Sequence, residues 1–333
     1  MVAATDQGDS RRVRFLSSRL RERQVFHGAR ARILYEMIGW QFRNATDLRF
    51  MNYGLAPAPG RETVFLPSGE QPERYCAGLY HAVAAQADLR GACVLDVGCG
   101  RGGGAAYVHR YLGPAETAGC DIARRSVAFC RKVHGGVAGL GFHHGCATAL
   151  PFAAESFDAV LNVESAHCYP DRAAFFSEAF RVLRPGGHLL LADFTPPRVP
   201  PGTERARIER ELTLSGFAPP GVTDITAGIL RGLDLDHDRR MREIRTRFPL
   251  GTRRLARLWA GTRGSWIYRD FAEGRRAYFM YRIEKPVAGT PGDARHRLRR
   301  PPQTCGVLPL AARGCGDAPA ASEIAFDRPG AAR

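Results

Sequence analysis

The chain has 333 residues, 44% hydrophobic and 9% aromatic, enough for one large domain or two ordinary ones and too apolar for a disordered tail. No run approaches ~18 apolar residues, which excludes a membrane-spanning helix. The net charge of +15 suggests a polyanionic partner, yet only Lys132 and Lys285 among 48 basic residues are lysine, a skew that codon usage in a GC-rich genome explains.

Residues 1–28 are polar, Arg-rich and aperiodic, and are expected to be loosely ordered. Residues 29–88 read as a helical lid. Ile33, Leu34, Met37 and Ile38 make an apolar stripe, MNYGLAPAPGRE breaks the helix, and a second helix over 73–86 places Tyr75, Leu79 and Val83 on one face. From residue 89 strands alternate with helices. CVLDV (93–97), a helix over 103–112, a strand reaching Asp121, a helix over 123–133 and a strand over 140–144 come first. FDAVLNV (157–163), a helix over 172–183, the tight turn Arg184-Pro185-Gly186-Gly187 and HLLLADF (188–194) follow. This alternation predicts an α/β fold whose parallel sheet is covered on both faces, with the ligand at the carboxyl ends of the strands.

A helix over 203–214, a strand near 222–226 and an Arg-rich helical stretch over 227–260 come next; the span 227–270 reads as a cap inserted over the substrate. AYFMYRIEK (277–285) closes the 89–285 domain as a strand hairpinned to its predecessor, and 286–333, rich in Pro, Gly, Ala and Arg, is expected to be disordered. MVAATDQGDSRRVRF lacks the apolar core of a secretory signal. The nine scattered cysteines, with no CxxC pair, form neither a zinc nor an evident disulfide framework. A cytoplasmic location is expected.

VLDVGCGRGGG (94–104) carries the cofactor chemistry. A buried strand ends in an acid, and Gly98, Gly100, Gly102 and Gly103 let the backbone turn sharply and approach a ligand without Cβ atoms in the way. A glycine loop alone also fits dinucleotide binding. Asp96 beside the loop, however, would repel a pyrophosphate and suits a cationic amino-acid group. Asp121, about 20 residues past the loop, ends the next strand, where a ribose diol would be held. Together these resemble the S-adenosylmethionine site of class I methyltransferases. The resemblance implies cofactor contacts from Asp96, Gly98, Cys99, Gly100, Gly102, Asp121, Ile122, Asn162 and Glu164. It implies a Rossmann-like, mostly parallel seven-stranded sheet with a C-terminal antiparallel hairpin. Family members typically carry Asp-Ala after the third strand, against the adenine. Here the pair is Cys146-Ala147, so the carboxylate that would accept from the adenine amino group is missing.

CGRGGGAAYVHRYL (99–112), NVESAHCYPD (162–171), GSWIYRDFAEGRRAYFMYRIEK (264–285) and FMNYG (50–54) resemble a narrower bacterial group over about residues 30–285. It comprises phthiotriolone and phenolphthiotriolone dimycocerosate methyltransferases and related sugar and polyketide O-methyltransferases. That resemblance implies methylation of a hydroxyl on a small lipid, polyketide or glycoside. An alcohol needs a general base as it attacks. His167, just past the fourth strand, has an ordinary pKa near ~6.5 suited to the task. Asp193, at the end of the fifth strand, is placed to fix its tautomer, a pairing that the related sugar enzymes suggest. His167 as a plain turn residue and Asp193 as a cap are the structural alternatives.

Glu164 could hold the cofactor's amino group or the substrate, or be a solvated loop acid. Tyr53 and Tyr268 could line the acceptor pocket or simply pack. Cys168 is expected to be pocket wall, since methyl transfer needs no covalent intermediate. His143 and His144, adjacent on a strand, point to opposite faces, so no metal is expected. A C-methyltransferase acting on a quinone, sterol or isoprenoid stays open. A nucleic-acid methyltransferase lacks its Asn/Asp-Pro-Pro-aromatic signature, because Asn162-Val163-Glu164-Ser165 stands there, and no nucleic-acid partner is expected. A non-catalytic cofactor-binding protein is a further alternative. If the acceptor is a long-chain lipid, the 227–260 stretch could rest on a membrane surface.

Overall fold

CVLDV forms β1 (Cys93–Val97), whose five residues are all buried because the strand lies inside a sheet covered on both faces. The computed structural model describes residues 36, 42, 44–61, 64, 66–196 and 199–287. Apart from Glu36, the helix expected at 33–38 lies outside the described residues, as do residues 1–28 and the tail past 287.

The remaining strands are β2 (Glu116–Asp121), β3 (Leu140–His144), β4 (Phe157–Val163), β5 (Leu183–Phe194), β6 (Gly221–Asp224) and β7 (Tyr278–Glu284). The helices are α1 (Arg74–Ala84), α2 (Gly103–Leu112), α3 (Arg124–His134), α4 (Arg172–Val182) and α5 (Pro201–Leu214). They continue with α6 (Thr226–Leu235), α7 (His237–Arg247), α8 (Arg253–Trp259) and α9 (Trp266–Ala272). The sheet runs β3–β2–β1–β4–β5–β7–β6. The first five strands are parallel, and β7 lies antiparallel between β5 and β6. The expected mostly parallel sheet with an antiparallel C-terminal pair is therefore what forms.

Alternate residues feed two cores, as a pleated strand requires. Leu95, Val160, Leu189, Leu191, Tyr281 and Ile283 face one side with Phe175, Phe176 and Leu212 of α4 and α5. Val94, Leu161, Leu190 and Tyr278 face the other, against α1, α2, α6 and α9. β5 starts at Leu183 rather than at 188. The Arg184–Gly187 turn is drawn into the sheet edge, where Gly186 N donates to Lys285 O and Lys285 N to Gly187 O. The Arg-rich stretch expected over 227–260 is broken into α6, α7 and α8, with Asp236 ending α6 and starting α7. Among the described residues no helix is long and apolar enough to cross a membrane.

Candidate active site

β1, β2, β4 and β5 all end at one sheet edge, which gathers Asp96, Asp121, Asn162, Glu164, His167 and Asp193 there. The glycine loop following β1 is tight. Gly98 and Gly102 hold φ of +74° and +77°, and a Cβ on Gly98 would sit 2.5 Å from Ser165 Oγ. Only glycine fits that position. Asp96 is fully buried, and Tyr80 OH donates to its Oδ2 (3.3 Å). Burial lifts its pKa to about 7; the Tyr80 bond opposes this and the Asp121 charge adds to it. Asp121 accepts from Gly100 N and Ala123 N, both at 2.8 Å. Burial carries it to about 6 against those two bonds.

Asn162 Nδ2 lies 2.9 Å from Val97 O, 2.7 Å from Ser165 Oγ and 2.8 Å from Tyr169 OH. Its Oδ1, like Asp96 Oδ1, is buried without a partner. Two orphaned acceptors and two carboxyls of raised pKa beside a glycine loop fit a ligand that brings hydrogen-bond donors and positive charge. S-adenosylmethionine, with its ammonium, ribose hydroxyls and sulfonium, is such a ligand.

Cys146 and Ala147 follow β3, with Cys146 Sγ 3.1 Å from Thr148 Oγ1. Ile122 follows β2, and its carbonyl meets His144 Nε2 at 3.1 Å, while the His143 ring packs edge-on to Phe152. Cys99 is buried beside Cys130 and Phe142.

The second half of the site centres on Glu164. This residue has φ +50°, a left-handed conformation uncommon outside glycine, at the end of β4. Glu164 N donates to Ala192 O, and Glu164 Oε1 accepts from Tyr53 N (2.8 Å) and Tyr278 OH (3.0 Å). Burial raises the carboxyl to about 7; the Tyr53 amide opposes this and Asp193 adds to it. His167 lies in a 3-10 turn, Ala166–Cys168. Its Nδ1 is 2.8 Å from Asp193 Oδ1, its backbone N–H donates to Asp193 Oδ2 (2.9 Å), and Phe194 N donates to Oδ1 (2.8 Å). Burial disfavours the imidazolium, but the Asp193 charge and hydrogen bond, with a further bond from Cys168, outweigh it. They hold the His167 pKa well above the ordinary imidazole value. The imidazole stacks on Phe194 at 4.3 Å between centroids and remains 28% exposed.

Tyr53 packs on Phe194 and Phe271, and Phe194 also meets Tyr278. The structure therefore brings Tyr53, Glu164, His167 and Asp193 together. Tyr268 is engaged elsewhere, its hydroxyl donating to Asp234 Oδ1 (2.9 Å). Sequence reasoning missed Tyr278, Phe194 and Phe271. The period-two aromatic pattern of β7 and the phenylalanine next to Asp193 were the available signals. Tyr80 was also missed, although it falls one residue past the predicted Leu79 stripe.

A methyltransferase domain model matches residues 95–191. The chain is 36% identical over 239 residues to the phthiotriol/phenolphthiotriol dimycocerosates methyltransferase of Mycobacterium tuberculosis strain H37Rv, covering 72% of this chain and 86% of that one. It is 38% identical over 243 residues to the fatty-acid O-methyltransferase of Mycolicibacterium smegmatis, covering 72% and 85%. Among solved structures, a putative sarcosine dimethylglycine methyltransferase from Galdieria sulphuraria has a TM-score of 0.58 at 15% identity, covering 73% and 99%. The cyclopropane synthase MmaA2 from Mycobacterium tuberculosis has 0.56 at 16%, covering 73% and 94%. Fold and loop define a class I methyltransferase that uses S-adenosylmethionine. Within that class, the chain belongs to the family of the phthiotriol/phenolphthiotriol dimycocerosates methyltransferases.

Proposed function

We propose that the protein methylates an oxygen of a lipid-like acceptor, with His167 as general base. The observation that carries this reading is the 2.8 Å contact between His167 Nδ1 and Asp193 at the strand ends, beside an aromatic wall of Tyr53, Phe194, Phe271 and Tyr278. The names of the relatives, a phthiotriol/phenolphthiotriol dimycocerosates enzyme and a fatty-acid enzyme, support a long apolar acceptor. Bound S-adenosylmethionine supplies an electrophilic methyl and a positive charge. Asp96, Asn162, Asp121 and the glycine loop would hold it. With Nδ1 tied to Asp193, Nε2 is the nitrogen that takes the acceptor's proton. The aromatic wall excludes water and orients the acceptor, and orientation supplies much of the acceleration in an in-line displacement.

The raised His167 pKa favours a second reading, in which the acceptor is a carboxylate and the imidazolium anchors it. The pH profile separates the two. A hydroxyl acceptor requires the neutral imidazole, so its rate climbs as pH rises through the His167 pKa. A carboxylate acceptor requires the imidazolium, so its rate falls there.

The test is labelled methyl transfer to long-chain hydroxy lipids and fatty acids. His167→Ala should lower turnover by roughly 100-fold or more with a hydroxyl acceptor; undiminished turnover would refute the base. The cap adds a membrane-facing surface to this reading. Leu250, 80% exposed, tips the turn between α7 and α8, flanked by exposed Arg242, Arg245, Arg254 and Arg257. Among the described residues none of these four arginines is in an ion pair, and the group suits an anionic lipid surface.

A further inference from the structure

Arg101 stands inside the glycine loop, between Gly100 and Gly102, yet its side chain leaves the cofactor side. It is 2% exposed, and its guanidinium lies 3.6 Å over the Phe129 ring of α3. Nε donates to Leu48 O (2.6 Å), and Nη2 donates to Phe42 O (3.0 Å) and Ala45 O (2.7 Å). Nη1 is buried with no partner, and among the described residues no carboxylate forms an ion pair with this guanidinium. Burial lowers its pKa to about 10, so it remains a cation at neutral pH. A buried charge held by carbonyls and one ring face, with no carboxylate, is expensive, and its place in the cofactor loop gives that expense a use.

The carbonyls belong to a strap, residues 42 and 44–56, that crosses from the loop to the group around Glu164, the acceptor group. Gly103 N donates to Arg49 O, and Glu73 accepts from Arg49 N and Phe50 N. Met51 Sδ lies 3.8 Å from where a Cβ on Gly100 would be. Next along the strap, Tyr53 N donates to Glu164, and Arg240 of α7 donates to Tyr53 O (2.8 Å). Leu55 N and Ala56 N are fixed to Tyr75 O and Gly228 O. Leu48 and Tyr53 are five residues apart, at most ~17 Å of extended chain. One short segment thus touches the cofactor loop at one end and the acceptor group at the other.

We propose that Arg101 is a positioning residue that couples the glycine loop to this strap, so that filling the cofactor site sets Tyr53 over the acceptor site. Backbone carbonyls are the same whatever side chains the strap bears, so Arg101 senses the strap's conformation. The three-way grip requires the guanidinium fork; a lysine offers one donor centre. The consequence at Tyr53 rests on the acceptor-site reading, but the coupling itself needs no acceptor to be measured.

The experiment is amide hydrogen exchange of the full chain with and without S-adenosylhomocysteine, for the wild type, R101M and R101K, beside calorimetric titration of the same ligand. In the wild type, the ligand should slow exchange at Arg49, Phe50, Tyr53, Leu55 and Ala56 by at least tenfold. R101M should bind the ligand within about threefold of the wild type yet lose that protection, and R101K should recover only part of it. With an acceptor present, R101M should raise acceptor KM far more than cofactor KM. Undiminished protection in R101M, or a wild-type strap indifferent to the bound ligand, overturns the coupling. Wild-type chain that does not bind the ligand overturns the cofactor assignment and the coupling with it. If R101M fails to fold, R101K is read by the same criteria, and full protection there refutes the fork. A wrong acceptor class leaves all these exchange results unchanged.

Discussion

Glu164→Gln isolates the charge at the centre of the site. Glu164 Oε1 accepts from Tyr53 N and Tyr278 OH, and a glutamine oxygen can accept both. The substitution therefore keeps the shape and removes the ionisation. The carboxyl titrates at about 7 in the fold against an ordinary value of 4.5. Between those values the folded chain binds more protons than the unfolded one, so stability falls as pH rises through that window. At about 1.4 kcal/mol for each unit of pH, the full penalty is roughly 3 kcal/mol above pH 7. Solvent reaching one side of the half-buried group screens part of it, leaving ~2–3 kcal/mol.

E164Q should thus match the wild type in stability near pH 4.5 and exceed it by that amount at pH 8. For a domain of this size the gain is about 5–10 °C in melting temperature. Ligand-free thermal melts at half-unit intervals from pH 4.5 to 8.5 read it directly. If Glu164 also receives the cofactor's ammonium, S-adenosylhomocysteine affinity at pH 8 should fall about tenfold in the same variant, so that stability and binding move in opposite directions. A melting difference that stays flat with pH, or a less stable E164Q at pH 8, refutes the reasoning.

Asp193→Asn should lower the His167 pKa, because the largest influence left on the imidazole is burial, which disfavours its charge. The pH–rate limb should move to lower pH and turnover should drop by about 100-fold; an unmoved limb assigns it to another group. Gly104→Ala gains helix propensity of about 1 kcal/mol, but its Cβ would lie 1.9 Å from the Tyr80 ring. The clash, costing about 1–3 kcal/mol or more, should outweigh that gain and break the Tyr80–Asp96 bond, so melting temperature and cofactor affinity should fall together. A stabilised variant would show that the ring moves freely. Reversing Arg245 and Arg254 to Glu should lower co-sedimentation with phosphatidylglycerol vesicles by at least tenfold, since each basic group near an anionic surface contributes about 1 kcal/mol. Equal binding to neutral phosphatidylcholine vesicles would refute the basic surface.

The sheet was legible because short segments with apolar residues alternate with helical ones between turn signals, and the expected 140–144 and 157–163 match β3 and β4 at both ends. The glycine loop was legible because its chemistry needs a residue type. Glu164's left-handed backbone was not, since nothing local marks a glutamate for positive φ. The strap was invisible for a deeper reason. Arg101, Glu73 and Arg240 bind main-chain atoms far along the chain, and a carbonyl or amide leaves no trace in side-chain pattern. Tyr268 shows the same gap. Its place in a conspicuous motif was visible, but the Asp234 carboxylate 34 residues away that takes its hydroxyl was not.

Arginine contacts to main-chain carbonyls also change what the charge of +15 means. Arg131 donates to Phe142 O, Arg231 to Pro57 O, Arg253 to Phe248 O, and Arg101 to the strap. A guanidinium bound to a carbonyl satisfies its donors without recruiting an acid, so each such arginine adds to the net charge while serving the fold. A lysine would bring a more strongly hydrated ammonium and no planar fork to these positions. Whatever genomic bias supplied the arginines, several now tie residues 42 and 44–57 to the glycine loop and to α6 and α7. An excess of positive charge is therefore expected even where no polyanion binds, and the argument for a surface partner rests on the exposed arginines that flank Leu250 rather than on the net charge.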